Sequence, residues 1–376
     1  MSSRENLRRC QRVVVKIGTS TLTYSNGQLN LQRIERLVRE LADLHNRDIE
    51  VLLVSSGAIG VGASRMGYKK IPRTMPEKQA LAAIGQGALV QLYEKLFSEY
   101  NKTVAQVLLT RGDLDERLRY LNAANALLAI VGLGVIPIIN ENDTVVVEEI
   151  KFGDNDTLSA LVAGIVDADL LIILSDVDGL YDSDPRANRD ACLQKEVREI
   201  TTEMEDNSKN RGSSFSSGGM LTKLRAARIC MAAGVPMVIG NSDDDNIIRR
   251  IVGGEEIGTL FIPREEKLQA RKKWIAFGTV AQGSVLVDAG AEAALLKKGK
   301  SLLPSGVVAV EGDFERGTVV AVAAAGDRRE IARGMVNYSS DEIRQIAGKK
   351  SSEIERILQG KDYDEVIHRN NLWVEH

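Results

Sequence analysis

The sequence predicts an α/β fold, a layered domain with a mostly parallel central sheet followed by a small β-rich domain. Three observations carry that expectation. Several apolar runs show no polar alternation, as strands buried on both faces do, and Leu170-Leu171-Ile172-Ile173-Leu174 is the clearest of them. Polar clusters follow these runs at once, and open α/β sheets bind ligands outside the carboxyl ends of their strands. After about Ile262 the texture changes to short valine-rich runs between glycine turns.

Taken in order, Val13-Val14-Val15-Lys16-Ile17 reads as the first strand and runs into Gly18-Thr19-Ser20. A lysine inside such a run is costly unless it enters a polar cleft or snorkels to the surface. The small residues after it favour a cleft in which the backbone approaches an anion. Asn30 caps an amphipathic helix whose apolar face holds Leu31, Ile34, Leu37, Val38, Leu41 and Leu44. Val51 to Val54 form the second strand, and it exits into the glycine-rich turn Ser55-Ser56-Gly57-Ala58-Ile59-Gly60-Val61-Gly62. A turn of this kind before a helix is an anion site or a packing device. It is neither a GxGxxG nor a Walker A sequence.

Pro76 and Glu77 start a long helix reaching Phe97, with Gly85 and Gly87 inside it for close packing. Val104 to Leu109 is a strand, Leu114 to Val131 is helical, and Val135 to Ile139 is a strand that exits into Asn140-Glu141-Asn142-Asp143. The stretch from Lys151 to Arg186 is densest in polar residues. Gly153-Asp154-Asn155-Asp156 opens a helix over Leu158 to Val166, with Asp154 read as its cap. The strand Leu170 to Leu174 then exits into Ser175-Asp176-Val177-Asp178-Gly179. Residues 203–217 read as a mobile polar loop. Gly218 and Gly219 open a helix to Ala233 with Lys223 one turn in, where a lysine opposes the helix dipole unless an anion is bound there. An ordinary exposed lysine explains Lys223 equally well at this point. Pro236 to Ile239 is read as the last strand of the domain. The expected division is a first domain over 1–262, a charged linker over 263–279, a second domain over 280–357 and a tail over 358–376.

Composition narrows the function. With 376 residues, 44% hydrophobic and 27% charged, the chain is expected to be a soluble globular protein. A net charge of −3 gives no general pull toward nucleic acid or anionic membrane. Cys10, Cys192 and Cys230 make no metal-ligand spacing, and their odd number suits reduced thiols in the cytoplasm. His45, His368 and His376 stand away from the polar clusters, which argues against histidine acid–base chemistry and zinc. No run reaches membrane-spanning length.

Six segments in order, VVVKIGTS, VSSGAIGVG, INENDTV, FGDNDTLSALVA, LSDVDGLYDSDPR and SSGGMLTK, resemble the signature segments of the amino acid kinase family. Residues from Val280 to about Ile357 resemble a PUA domain. The resemblance implies an αβα sandwich kinase. It is most similar to the branch that phosphorylates the side-chain carboxylate of L-glutamate at the head of proline biosynthesis, using ATP with magnesium (Mg2+) and inhibited by proline. It implies that Lys16 and Lys223 contact the phosphates and that Asp156 orients these lysines. It further implies that Ser56, Asp143 and Asn155 hold glutamate. Ser175 and Asp176, with Ser217, Gly218, Gly219, Met220, Leu221, Thr222 and Lys223, would line the ATP site. Ser216 stands where the family's nucleotide loop usually has glycine. No resident protein-held metal is expected, and a homo-oligomer is.

Two other readings stay open on sequence alone. A sister kinase could act on aspartate, acetylglutamate, carbamate or uridylate. An RNA-binding role for the second domain is disfavoured, because Arg271–His376 holds 16 Lys and Arg against 15 Asp and Glu.

Overall fold

The computed structural model describes residues 3–24, 28–68, 70–115, 117–145, 154–183, 188, 190–209, 219–263, 281–358, 360 and 363–374. The chain forms two compact units, residues 1–115 with 122–264 and residues 116–121 with 265–376.

The first unit is built on eight strands. They are β1 (Arg12–Ile17), β2 (Glu50–Val54), β3 (Val104–Leu109), β4 (Ile136–Glu141), β5 (Leu170–Ser175), β6 (Glu196–Val197), β7 (Met237–Asn241) and β8 (Thr259–Phe261). Their order in the sheet is β3-β4-β2-β1-β5-β7-β8-β6. Every neighbouring pair runs parallel except β7 with β8. The unalternated runs therefore lie where the sequence puts them, in the middle of a parallel sheet, and β4 and β5 are buried at every position.

The helices are α1 (Thr19–Leu22), α2 (Leu31–Asn46), α3 (Ala58–Arg65), α4 (Met75–Ser98), α5 (Arg111–Asp115), α6 (Arg117–Gly132), α7 (Asn155–Ile165), α8 (Thr202–Lys209), α9 (Met220–Ala232) and α10 (Ile247–Val252). Val13, Val15 and Ile17 of β1 share one apolar cluster with α2, α4 and α10, through Leu41, Phe97 and Ile251 among others. Successive strand residues face opposite ways. Lys16 thus looks to the other side of the sheet, where α7 packs on β1 and β5 and α9 packs on β7.

Asn30 caps α2 by accepting from the Arg33 N–H at 3.1 Å. Its predicted stripe is buried from Ile34 to Leu44, but Leu31, in the first turn, is exposed. α7 starts three residues earlier than the apolar pattern indicates, because Asp154 caps it from outside and leaves Asn155 and Asp156 in its first turn. Three further expectations are corrected. The polar stretch read as a loop contains α8 over its first part, while residues 210–218 lie outside those described. β7 is followed by the short antiparallel β8. Gly85 does permit close packing, but nothing stands within 4 Å of where a Cβ at Gly87 would be.

The α3–α4 contact is unusually close. A Cβ at Gly62 would stand 1.9 Å from the Leu81 carbonyl oxygen, and one at Gly85 would stand 1.8 Å from that of Ala58. Only glycine fits at either position.

The second unit holds β9 (Ser284–Val287), β10 (Val307–Glu311), β11 (Val319–Ala324), β12 (Glu330–Met335) and β13 (Leu372–Val374), in the order β10-β9-β11-β12-β13. Its helices are α11 (Ala289–Lys298), α12 (Ser340–Ile346) and α13 (Ile354–Leu358). Asp288 caps α11, and a Ser339–Glu342 capping box starts α12. Val285, Val320, Val322, Tyr338 and Ile343 belong to its own apolar core. β13 pairs antiparallel with β12, so residues expected as a tail complete this sheet. The stretch expected as a linker lies almost wholly outside the described residues. No described helix is long and apolar enough to cross a membrane.

Candidate active site

The carboxyl ends of β1, β2, β4, β5 and β7 lie along one edge of the sheet, and the predicted polar residues gather there in two groups. The first group is charged. Lys16 is 6% exposed and Asp156 is 0% exposed. A buried ammonium needs a partner, and the Lys16 Nζ lies 2.5 Å from Asp156 Oδ1. The other carboxylate oxygen, Oδ2, accepts from Thr222 Oγ1 at 2.7 Å and lies 3.4 Å from Lys223 Nζ. Burial alone would raise the Asp156 carboxyl, but the charges of Lys16 and Lys223 and the hydrogen bonds from Lys16 and Thr222 outweigh it. The carboxyl is held well below the usual carboxylate range. Lys223 is buried in the first turn of α9, which rules out an ordinary exposed lysine. Its conflict with the helix dipole is met by Asp156.

The second group is neutral and starts one residue earlier. Asp154 accepts from the Thr157 N–H at 2.7 Å, as a cap does, and burial pushes its carboxyl up. Asn155 turns toward β2 and β4. Its Nδ2 lies 2.8 Å from the Ser55 carbonyl oxygen, 2.9 Å from Ser56 Oγ and 2.8 Å from Asn140 Oδ1. Two backbone groups fix both amides. The Ser55 carbonyl can only accept, so it must meet the Asn155 amine. The Glu141 N–H can only donate, and it reaches Asn140 Oδ1 at 2.8 Å. Asn155 Oδ1 is left buried with no hydrogen-bond partner among the described residues.

The network continues into α4. Asn140 Nδ2 donates to Gln86 Oε1 at 2.8 Å, and the Tyr93 hydroxyl lies 2.9 Å from Ser55 Oγ. Sequence reasoning passed over Gln86 and Tyr93, yet a signal was present. Both fall on the buried stripe of α4 that includes Ala82, Leu89 and Phe97, where a polar side chain is out of place unless it is bonded.

Ser56 and Asn155 are thus in contact, while Asp143 sits half-buried in the turn after β4. Ser175 ends β5 and is buried, with its Oγ 3.2 Å from Oδ1 of the exposed Asp176. The exits of β5 and β7 are tied together by Asn241 Nδ2 donating to Asp178 Oδ1 at 2.7 Å and the Ser242 N–H donating to the Ser175 carbonyl at 2.8 Å. Gly219 caps α9, and Met220, Leu221, Thr222 and Lys223 form its first turn. Of these, Thr222 and Lys223 reach Asp156. Ser217 and Gly218 lie outside the described residues.

Among the described residues no three His, Cys, Asp or Glu side chains group as metal ligands do. Both Asp156 oxygens are engaged, so a magnesium ion here would take its ligands chiefly from nucleotide phosphates, as that ion commonly does.

A model of the amino acid kinase family matches residues 11–241, and one of the PUA domain matches residues 283–358. A glutamate 5-kinase of Moorella thermoacetica is 54% identical over 368 residues, which cover 98% of this chain and 97% of that one. One from Thermoanaerobacter sp. is 54% identical over 361 residues, covering 96% and 97%, and one from Carboxydothermus hydrogenoformans is 53% identical over 370, covering 98% and 99%. The match runs through both units, and the chain therefore belongs to the amino acid kinase family, as a kinase that also carries a PUA domain.

Proposed function

We propose that the chain transfers the γ-phosphoryl group of ATP to the side-chain carboxylate of L-glutamate, giving L-glutamyl 5-phosphate and ADP. On this reading it opens proline biosynthesis in the cytoplasm, works as a homo-oligomer and is inhibited by proline. The observation that carries the reaction type is the convergence of two buried lysines, Lys16 and Lys223, on the buried Asp156 at the carboxyl edge of the sheet. The near-complete coverage of relatives named glutamate 5-kinase supports the choice of acceptor.

A carboxylate oxygen of glutamate attacks the γ-phosphorus, the bond to the bridging oxygen breaks, and ADP departs. No proton has to move, because a carboxylate is ionised near neutral pH. No histidine stands among the described site residues, which suits this chemistry. The obstacle is the repulsion between two anions and the charge spread over the transferring group. Lys16 and Lys223 answer it with preorganised positive charge, and Asp156 holds the two ammonium groups in place. Magnesium carried in with ATP would add further neutralisation of the phosphates. Ser56, Asp143 and Asn155 hold glutamate. The unpartnered Asn155 Oδ1 is an acceptor, and the α-ammonium is the one donor that free glutamate carries. Ser175, Asp176 and the run from Ser217 to Lys223 line the nucleotide.

The test is a coupled ADP assay over L-glutamate, L-aspartate, N-acetyl-L-glutamate, carbamate and UMP, with and without proline. Turnover with L-glutamate well above the other acceptors is expected. Preferred turnover of any other acceptor overturns the substrate assignment.

A further inference from the structure

We propose that Gln86 and Tyr93, both on α4, are positioning residues that set the affinity for the acceptor substrate. The inference rests on the reading of L-glutamate as that acceptor. The two side chains stand seven residues apart, two helical turns, and so share one face. That face packs into the apolar cluster through Leu89, Tyr93 and Phe97, with Gln86 9% and Tyr93 0% exposed. An amide and a phenol buried there cost free energy unless each is bonded. Each finds its partner at a strand end that touches Asn155, Gln86 through Asn140 at the end of β4 and Tyr93 through Ser55 after β2.

The hydrogen-bond directions explain why these contacts matter. Gln86 Oε1 accepts from Asn140 Nδ2, which helps turn Asn140 Oδ1 toward Asn155. Asn155 can then offer only its amine to Asn140, and its own oxygen is left for a ligand. If Gln86 loses its acceptor, Asn140 Nδ2 is buried without a partner, and the amide is drawn toward a flip that would aim an amine at the amine of Asn155. Tyr93 braces Ser55, whose carbonyl takes the Asn155 amine. Neither residue has a hydrogen bond to Lys16, Asp156, Thr222 or Lys223 in the described structure, so the effect is confined to one substrate.

Initial rates over a grid of L-glutamate and ATP concentrations test this on the full chain, with folding checked by circular dichroism and thermal melts. Gln86→Met should raise the KM for L-glutamate on the order of 10-fold, and Tyr93→Phe about 3-fold, the range set by loss of one buried hydrogen bond. The KM for ATP and kcat should stay within about 2-fold of wild type. An unchanged KM for L-glutamate in the folded variants overturns the proposal, and so does a parallel loss for both substrates. Should Gln86→Met not fold, Tyr93→Phe decides alone. If the wild-type chain makes no ADP with L-glutamate, the acceptor assignment itself fails and takes this inference with it. That outcome is distinct from normal wild-type turnover with indifferent variants.

Discussion

Asn155 and Asp156 are neighbours in the chain and open the same helix, yet their side chains enter unlike surroundings. Asp156 goes into a charged cluster with two lysines and a threonine hydroxyl. Asn155 goes into a neutral one of amides, serines and, behind them, a tyrosine. Adjacent residues of a helix point about 100° apart, so one helix start can enter two unlike surroundings, here proposed to serve two substrates. The charged side is suited to the charge that spreads over a transferring phosphoryl group, and the neutral side to holding those parts of a ligand that do not react. The first should govern kcat and the second KM.

The largest effects test the charged side. Lys16→Ala and Lys223→Ala should each lower kcat by roughly 10²-fold or more in folded protein, because the ammonium groups serve charge that develops in the transition state. Asp156→Asn should damage kcat far more than the KM for ATP. Near-wild-type turnover in either lysine variant would break the contrast at its stronger end. On the neutral side, Asn155→Ala should raise the KM for L-glutamate on the order of 10- to 100-fold with a smaller change in kcat, the scale of one lost hydrogen bond to a charged group. A kcat defect as deep as that of the lysine variants would mean that the two halves are not separate.

The smallest effect concerns Asp154 and sharpens the comparison by pH. Its carboxyl is pushed up by burial, whereas that of Asp156, two residues on, is held down by the lysines after burial is overcome. A raised carboxyl favours the fold while protonated and loses that contribution as pH rises through its folded value. A depressed one contributes fully above the ordinary carboxylate value and loses it only as pH falls below. Asparagine caps a helix about as well as aspartate. Asp154→Asn should therefore stay within about 0.5 kcal/mol of wild type near neutral pH. It should also gain on wild type as pH rises above the ordinary carboxylate range, as the buried charge it lacks develops. Thermal melts across that rise decide it. A variant that falls behind as pH rises would show that the Asp154 charge supports the helix.

Much of the site was legible because its residues stand beside strong signals. Lys16 interrupts an apolar run, Ser175 and Asp176 end another, and Asn155 and Asp156 precede an apolar helix. The central strands were readable for the same reason, being long, unalternated and flanked by polar turns. What escaped lacks a pattern of its own. α8 carries a single apolar residue, Met204, and so has no apolar stripe to mark it. β6, β8 and β13 have two or three residues each, too few to show a period, and exist through pairing with a neighbour. β12 carries Arg333 and Gly334 within it, which breaks its alternation. The direction of the Asn155 amide depends on the backbone carbonyl of Ser55, 100 residues away in sequence, and no local pattern encodes it.

The glycine contact between α3 and α4 ties together two properties that are usually adjusted separately. With Gly62 and Gly85 pressed against the opposing backbone, neither helix can shift without the other. α3 follows directly on the turn that carries Ser55 and Ser56, and α4 carries Gln86 and Tyr93. The half of the site proposed to hold the acceptor thus takes its shape from two helices packed backbone to backbone, and a single methyl group at that seam is the smallest change that would deform it. On the proposed assignment, a change that loosened or tightened this seam for a new temperature would also shift the KM for L-glutamate.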